Sequence, residues 1–308
     1  MNVSMQDTYN LGWKVALVAK GVAKRDILGT YETERKRVAQ DLIDFDHRFS
    51  SLFSGRPAKD VMDAEGVSME TFKDAFLKGN LFASGLIVNY GPSPIVAKDT
   101  KDETPVAPKQ ALATGLPVGM RFNSFKVLNQ ACARPWHFQE WLKADGRFRV
   151  VLFAGNILDA AQKSRVDAFC ARLDAPESFL HTSGGDTLHK DGDDGRTHRA
   201  VEVLTIHSAK RTETELLRDF PDVLHPFNSH TGWDYNKVFV DDESYHEGFG
   251  DAYKNYGVDK QRGCVVAVRP DQYVGFVGEL EDFDDLQRYF EGCLVLKSPI
   301  ASGEVPIR

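Results

Sequence analysis

Apolar residues recur at helical spacing in three stretches near the start of the chain. The spacing predicts a helix over residues 3–20, which Gly21 ends, and a longer helix over residues 26–53. A third helix is predicted over residues 68–84, since Ser68 can cap its first turn and its apolar residues share one face. The first part of the chain is therefore expected to be helical.

Beyond residue 118, short β-rich runs alternate with helix-like runs, a mixture typical of an α/β or α+β layer arrangement. A turn at Pro270-Asp271 predicts a hairpin late in the chain. In order, the predicted elements are a strand over 148–154, a helix over 156–173, strands over 201–207 and 237–241, a helix over 245–256, the hairpin of 263–270 and 273–277, and a helix over 284–294.

Proline interrupts the chain between these two parts. Residues 91–117 contain five prolines around a charged patch at 98–103, and no hydrophobic period continues through them. We therefore predict a first unit over 1–90, a linker over 91–117 and a second unit over 118–308.

Composition and charge exclude several classes of protein. The 308 residues carry a net charge of −7 and a pI near 5.7, so no bulk electrostatic attraction draws the chain to nucleic acid or to an anionic membrane. No apolar run approaches the roughly 20 residues of a membrane helix, and no signal peptide is recognisable. Four cysteines without a CxxC pair predict free thiols, and we expect a cytoplasmic protein.

Three other kinds of site were weighed and are disfavoured. Residues 181–198 contain three histidines among aspartates, but this Gly-rich stretch offers no helix to fix metal ligands and lacks the closing Glu of a calcium loop. We expect a surface insertion there and no metal. No GxSxG motif supports a serine nucleophile. Disulfide exchange needs a CxxC pair, which no part of the chain has.

Two sequence matches at the start of the chain identify a family. The stretch from Met1 to Leu17, which reads MNVSMQDTYNLGWKVAL, and the stretch over 30–39, which reads TYETERKRVA, resemble the last part of the FAD domain in phenol 2-monooxygenase-type aromatic hydroxylases. Matches to that family's C-terminal domain lie at 133–136, 146–155, 256–257 and 262–274, and Arg269-Pro-Asp-Gln-Tyr-Val274 is the most specific of them.

The resemblance implies an α/β protein made of the terminal helices of an FAD domain followed by a thioredoxin-like domain without CxxC. It implies a homodimer and, in the whole protein, hydroxylation of a phenolic ring with O₂ and NADPH. Met1 and Asn2 would contact FAD, because free N–H donors at a helix start can stabilise negative charge on a reduced flavin. The alternative is that Asn2 caps the helix.

The rest of an FAD site is not identifiable in this sequence. A GxGxxG turn for the pyrophosphate is missing, and no catalytic residue can be named. We therefore expect the back half of an enzyme, inactive by itself. A different class of function is a non-catalytic dimerisation module that binds no FAD, and an independent thioredoxin-like enzyme is a weaker third alternative.

Further family positions are expected to serve packing rather than chemistry. Asp7, Asn10 and the Trp13-Lys14 pair would pack or cap within the flavin domain. Glu32 and Glu34, close to Arg35, could pair with neighbouring helices, but a solvated charged face is the favoured interpretation.

Overall fold

The computed structural model describes residues 2–54, 68–98, 106–184 and 200–297. The three helices predicted at the start of the chain are confirmed. Gly21 ends the first one by adopting a φ of +68°, and the Ser68 hydroxyl caps the third by accepting from the Thr71 N–H at 3.1 Å. These helices are α1 over Asn2–Ala19, α2 over Gly29–Ser54 and α3 over Met69–Ala83.

A mixed sheet forms the centre of the second part. Within the described residues, seven strands lie in the order β11-β10-β3-β4-β7-β1-β2, with β3, β4 and β7 parallel and the remaining neighbours antiparallel. The strands are β1 Lys126–Asn129, β2 Pro135–His137, β3 Phe148–Gly155, β4 Val201–His207, β5 Phe227–Asn228, β6 Gly232–Trp233, β7 Val238–Val240, β8 Glu243–Ser244, β9 Gly248–Phe249, β10 Cys264–Val268 and β11 Val274–Gly278.

The helices of this part connect and cover the strands. Helix α4 links parallel β3 and β4, and it begins later than predicted because Asp159 caps it by accepting from the Gln162 N–H at 2.9 Å. The predicted α/β class is confirmed, whereas the thioredoxin-like assignment stays a prediction. The helices are α4 Ala160–Leu173, α5 Phe179–Thr182, α6 Leu216–Asp219, α7 Ala252–Tyr256 and α8 Phe283–Cys293.

The helix predicted over 245–256 is wrong in its first half. Strands β8 and β9 pair there as a short hairpin, and Gly248 has a φ of +64° that a helix interior does not allow. Asp251 is also left-handed, with a φ of +49°. Helix α7 starts only after it, where the Asp241 carboxylate accepts from the N–H groups of Ala252 and Tyr253 at 2.9 and 3.0 Å.

The first helices and the sheet share one core. The Trp13 ring of α1 meets Phe148 of β3 edge to face at 5.5 Å, and Phe148 contacts Phe290 of α8 at 5.8 Å. The backbone between α1 and α2 is tied to the end of α8, since the Lys24 N–H donates to the Cys293 carbonyl at 2.9 Å. The start of the chain is therefore part of the folded body.

The described parts of the Pro-rich stretch follow the outer edge of the sheet. The N–H groups of Ala97 and Lys109 donate to the carbonyls of Gly275 and Val277 of β11, at 2.8 and 2.9 Å. These bonds cover an edge strand that would otherwise present unpaired backbone groups. The unit limits at 90 and 118 stay a prediction.

Most of the His- and Asp-rich stretch over 181–198 lies outside the described residues, so the surface insertion expected there stays a prediction. Within the described ranges no group of three His, Cys, Asp or Glu side chains is placed to hold a metal ion. None of the helices in those ranges combines the length and the apolar composition that crossing a bilayer requires. All four thiols are free, and Cys132 is the exposed one.

Candidate functional site

The start of α1 is open to solvent. Asn2, the first described residue, is exposed, and the first turn carries no acidic side chain. The N–H groups of a first turn have no partner within the helix and carry partial positive charge. Met1 lies outside the described residues. This helix start can therefore receive an electron-rich group of a ligand.

A large groove runs along the exposed side of the same helix. It encloses about 870 Å³, and one wall is α1 while the other is formed by residues 144–146 and Pro270. The α1 wall is mostly apolar or small, with Met5, Gly12 and Trp13 among its residues. A flat apolar surface could pack here and exclude water from the helix start.

A buried carboxylate on α2 holds the opposite side of α1. Glu34 is 4% exposed, and one of its oxygens accepts from Lys14 Nζ at 2.9 Å and from Asn10 Nδ2 at 2.7 Å. Both donors are on α1, one helical turn apart. Glu34 thus ties two side chains of α1 to α2 through one of its oxygens.

An arginine from the sheet completes this cluster. Arg269 follows β10 and donates to Glu34 twice, at 2.5 and 3.0 Å, and to Asp271 twice, at 3.0 and 2.6 Å. Its guanidinium carbon lies 5.1 Å from the centre of the Tyr90 ring and 5.7 Å from that of Trp13. We call Asn10, Lys14, Glu34, Arg269 and Asp271 the buried charge network.

The network balances its charges at neutral pH. Burial alone would raise the pKa of Glu34, but the charge and hydrogen bonds of Arg269, together with Lys14, outweigh burial and lower that pKa to about 2. Burial and repulsion by the positive charge of Arg269 lower the pKa of Lys14 to about 8, although Glu34 acts in the opposite direction. Glu34 is therefore ionised at pH 7 and lies between the side chains of Lys14 and Arg269.

A second link beside the network involves Arg35. Its Nε donates to Asp7 at 2.5 Å and its Nη1 donates to the Tyr90 hydroxyl at 3.0 Å. The favoured expectation of a solvated charged face is therefore wrong for Glu34 and Arg35, whereas Glu32 is exposed.

The sequence named most of these residues without predicting their contacts. Trp13 and Lys14 were expected to pack within the flavin domain. The Trp13 ring also lies against Arg269, and Lys14 pairs with Glu34, the carboxylate that Arg269 binds. One signal was available: Asn10 and Lys14 lie on the same helical face as the buried Leu17, where polar side chains need partners.

A smaller depression of about 370 Å³ lies beside the first residues of β4 and the residue before β7. Its charged residues already pair with one another: Glu202 bonds Lys237, and Arg147 lies 3.2 Å from the same carboxylate. The start of α1 is therefore the better candidate for ligand binding.

Two family models match the chain. A model described as the C-terminal dimerisation domain of phenol hydroxylase matches residues 88–298, and a model described as an FAD binding domain matches residues 1–46. Glu34 lies in the second match and Arg269 in the first, so the buried charge network spans both.

Two relatives with more than 30% identity agree with these matches. A phenol 2-monooxygenase of Aspergillus fumigatus is 34% identical over 95% of this chain and 44% of its own length. A 3-hydroxybenzoate 4-monooxygenase of Comamonas testosteroni is 36% identical over 96% of this chain and 43% of its own length. A solved flavin-dependent monooxygenase in complex with FAD and substrate has a TM-score of 0.47 at 16% identity, covering 94% of this chain and 44% of that one. The chain spans a little under half the length of these proteins.

Proposed function

This chain belongs to the phenol hydroxylase family of FAD-dependent monooxygenases, and we propose that it works within such an aromatic hydroxylase as the end of the flavin-binding domain joined to the dimerisation domain. The proposed reaction of the whole protein is hydroxylation of a phenolic ring with O₂ and NADPH. The proposed assembly is a homodimer. The observation that supports this function best is the open start of α1, held in place by the buried charge network.

The donor set at this helix start fits one edge of a flavin. The exposed first turn offers backbone N–H donors, and no carboxylate in that turn would repel an electron-rich carbonyl edge. The groove beside it is large and mostly apolar, as a flat ring system requires. The pyrophosphate of FAD needs a Gly-rich turn that this sequence lacks, so these residues fit part of the cofactor only.

Each part of the chain then has a separate task. FAD, when bound, supplies the redox chemistry between NADPH and O₂. The first turn of α1 donates hydrogen bonds to the cofactor edge on which negative charge develops, which favours the reduced form. The buried charge network keeps α1 from rotating or sliding, and a flat ring system packed in the groove would exclude water from the helix start.

A chimera tests this proposal. The part of the Comamonas relative that this chain does not match would be joined ahead of residue 1 and titrated with FAD, with quenching of flavin fluorescence as the measurement. We expect tight FAD binding by the chimera and none by the 308-residue chain, because the chain lacks the pyrophosphate turn. Tight binding by neither protein would contradict the proposal and favour the alternative, a dimerisation module that binds no FAD.

Asn2 is tested in the same chimera. Asn2→Asp places a carboxylate where the cofactor edge is proposed to lie, so FAD binding should weaken by roughly twofold to fivefold. A carboxylate at a helix start stabilises the helix itself, so weaker binding would not reflect unfolding. The matched control is Asn2→Ser, which keeps a neutral capping side chain and should bind FAD like the parent. Equal affinity of all three proteins would show that Asn2 does not contact FAD.

A further inference from the structure

A short hairpin carries two aromatic side chains into solvent. We call residues 243–249 the aromatic arm; β8 and β9 pair in it through Glu243 with Phe249 and Ser244 with Gly248. Tyr245 is 95% exposed and Phe249 is 56% exposed, and no large apolar side chain in the described ranges is more exposed than Tyr245. The fold leaves this aromatic surface uncovered.

The arm is anchored to β1 by a hydrogen bond, an ion pair and a close backbone approach. Lys126 of β1 donates to the backbone carbonyl of Glu247 at 3.0 Å and pairs with its carboxylate at the same distance. Ser244 is buried, and its hydroxyl accepts from the Glu247 N–H at 2.9 Å. At Gly250 a side chain would lie 2.1 Å from the Lys126 carbonyl, so the arm approaches β1 as closely as the backbone permits. A rigid aromatic tip loses little conformational entropy when a partner binds it.

We propose that the aromatic arm is a contact between two copies of this chain. This inference rests on the homodimer in the proposed function and adds the surface that forms it. The arm lies within residues 88–298, the match to a dimerisation domain. Tyr is enriched among the side chains that contribute most to interfaces.

The area supports a second copy as the partner. The exposed parts of Tyr245 and Phe249 together offer about 300 Å² in each copy, since a fully exposed aromatic side chain presents roughly 150–250 Å². Under twofold symmetry the two arms each bury about 300 Å² of their own surface. Each arm also covers a similar area on the other copy, so the total buried area is about 1,200 Å². That is the lower end of the range for a specific interface.

Sedimentation velocity of the full chain over a range of concentrations tests the surface. We expect the parent to be a dimer and Tyr245→Ser combined with Phe249→Ser to raise the dissociation constant at least about 30-fold. The matched control is Leu217→Ser, because Leu217 is an apolar residue on α6 whose exposure of 44% is close to the 56% of Phe249. It should leave the dimer unchanged. Circular dichroism checks that each variant is folded.

Two outcomes would overturn the inference, and they differ in what else they affect. If the parent and the folded arm variant dimerise equally, another surface makes the dimer, and the inference fails while the proposed dimer stands. If the folded parent is a monomer at every concentration, the dimer of the proposed function fails together with the arm.

Discussion

The joint between the first helices and the sheet differs in chemistry from the interior of the sheet. At the joint, Glu34, Lys14 and Arg269 are buried as ions. In the sheet, every residue of β3 is buried, and its side chains are apolar except that of Arg149, which pairs with Glu202 of β4 at the start of the strands. Apolar burial is non-directional, whereas bidentate ion pairs form only in one geometry. The sheet therefore supplies stability, and the joint fixes where α1 and its open first turn lie.

Removing the cation at the centre of the joint should have the largest effect. Arg269→Met leaves the carboxylates of Glu34 and Asp271 buried without their shared partner, and we expect a loss of about 3–5 kcal/mol in the free energy of unfolding. Urea denaturation measures it. The matched control is Arg165→Met, which removes the partly exposed pair with Glu281 and should cost less than about 1 kcal/mol. Equal small losses would contradict a buried ionic joint.

An apolar truncation in the sheet should come next. Leu152→Ala removes a fully buried side chain from β3, and we expect a loss of about 3 kcal/mol from lost transfer energy and the cavity left behind. Urea denaturation at pH 7 and pH 4 should give the same loss, because leucine does not titrate. The loss in the free energy of unfolding caused by Arg269→Met should instead be smaller at pH 4, because Glu34 can be protonated in a variant that lacks Arg269. A pH-dependent loss for Leu152→Ala would remove the contrast between the two regions.

Acid should weaken the joint in a defined window. The pKa of Glu34 is about 2 when folded and 4.5 ordinarily, so its stabilisation is complete above pH 4.5 and is lost as the pH falls towards 2. We expect this part of the acid destabilisation to reach up to about 3 kcal/mol. It is measured as the difference in pH dependence between the parent and Glu34→Gln, whose glutamine cannot titrate. Identical pH curves would show that Glu34 is not held as an ion.

The smallest effect is expected beside the joint. Tyr90→Phe removes the hydroxyl that accepts from Arg35 at 3.0 Å, and we expect a loss of about 1 kcal/mol in the free energy of unfolding. Tyr235→Phe is the control, since that side chain is 47% exposed and should change stability by less than about 0.5 kcal/mol. Equal losses in the two variants would show that the hydrogen bond from Arg35 makes no measurable contribution to the free energy of unfolding.

Hydrophobic spacing predicted the long elements well and the short ones poorly. Helices α1, α2 and α3 and strands β3 and β4 were found close to their predicted bounds, since each helix has a periodic apolar face and each strand is a β-rich run that is buried throughout. Strands β1 and β2 were missed, because each has only three or four residues and depends on its neighbours. The helix predicted over 245–256 was wrong because Gly248 and Asp251 adopt positive φ, which spacing alone does not reveal.

For the candidate site too, some features were predicted from the sequence and others were not. Family motifs named Asn2, Asn10, Lys14, Glu34 and the Arg269-Pro-Asp-Gln-Tyr-Val274 stretch before any fold was known. Their spacing could not predict that Arg269 donates two hydrogen bonds to Glu34, 235 positions away in the chain. The flavin-facing role of Met1 and Asn2 stays a proposal.

The sequence by itself determined the family, the helical start of the chain and the mixed α/β second part, because local periods and short motifs are readable along the chain. Tertiary structure decided which charged side chains are buried and which aromatic ones are exposed. Both depend on long-range packing: Glu34 is desolvated by residues from α1 and the β10–β11 turn, and Tyr245 is left in water because the arm is fixed to β1. Local patterns in a single sequence do not show which distant residues become neighbours in the fold.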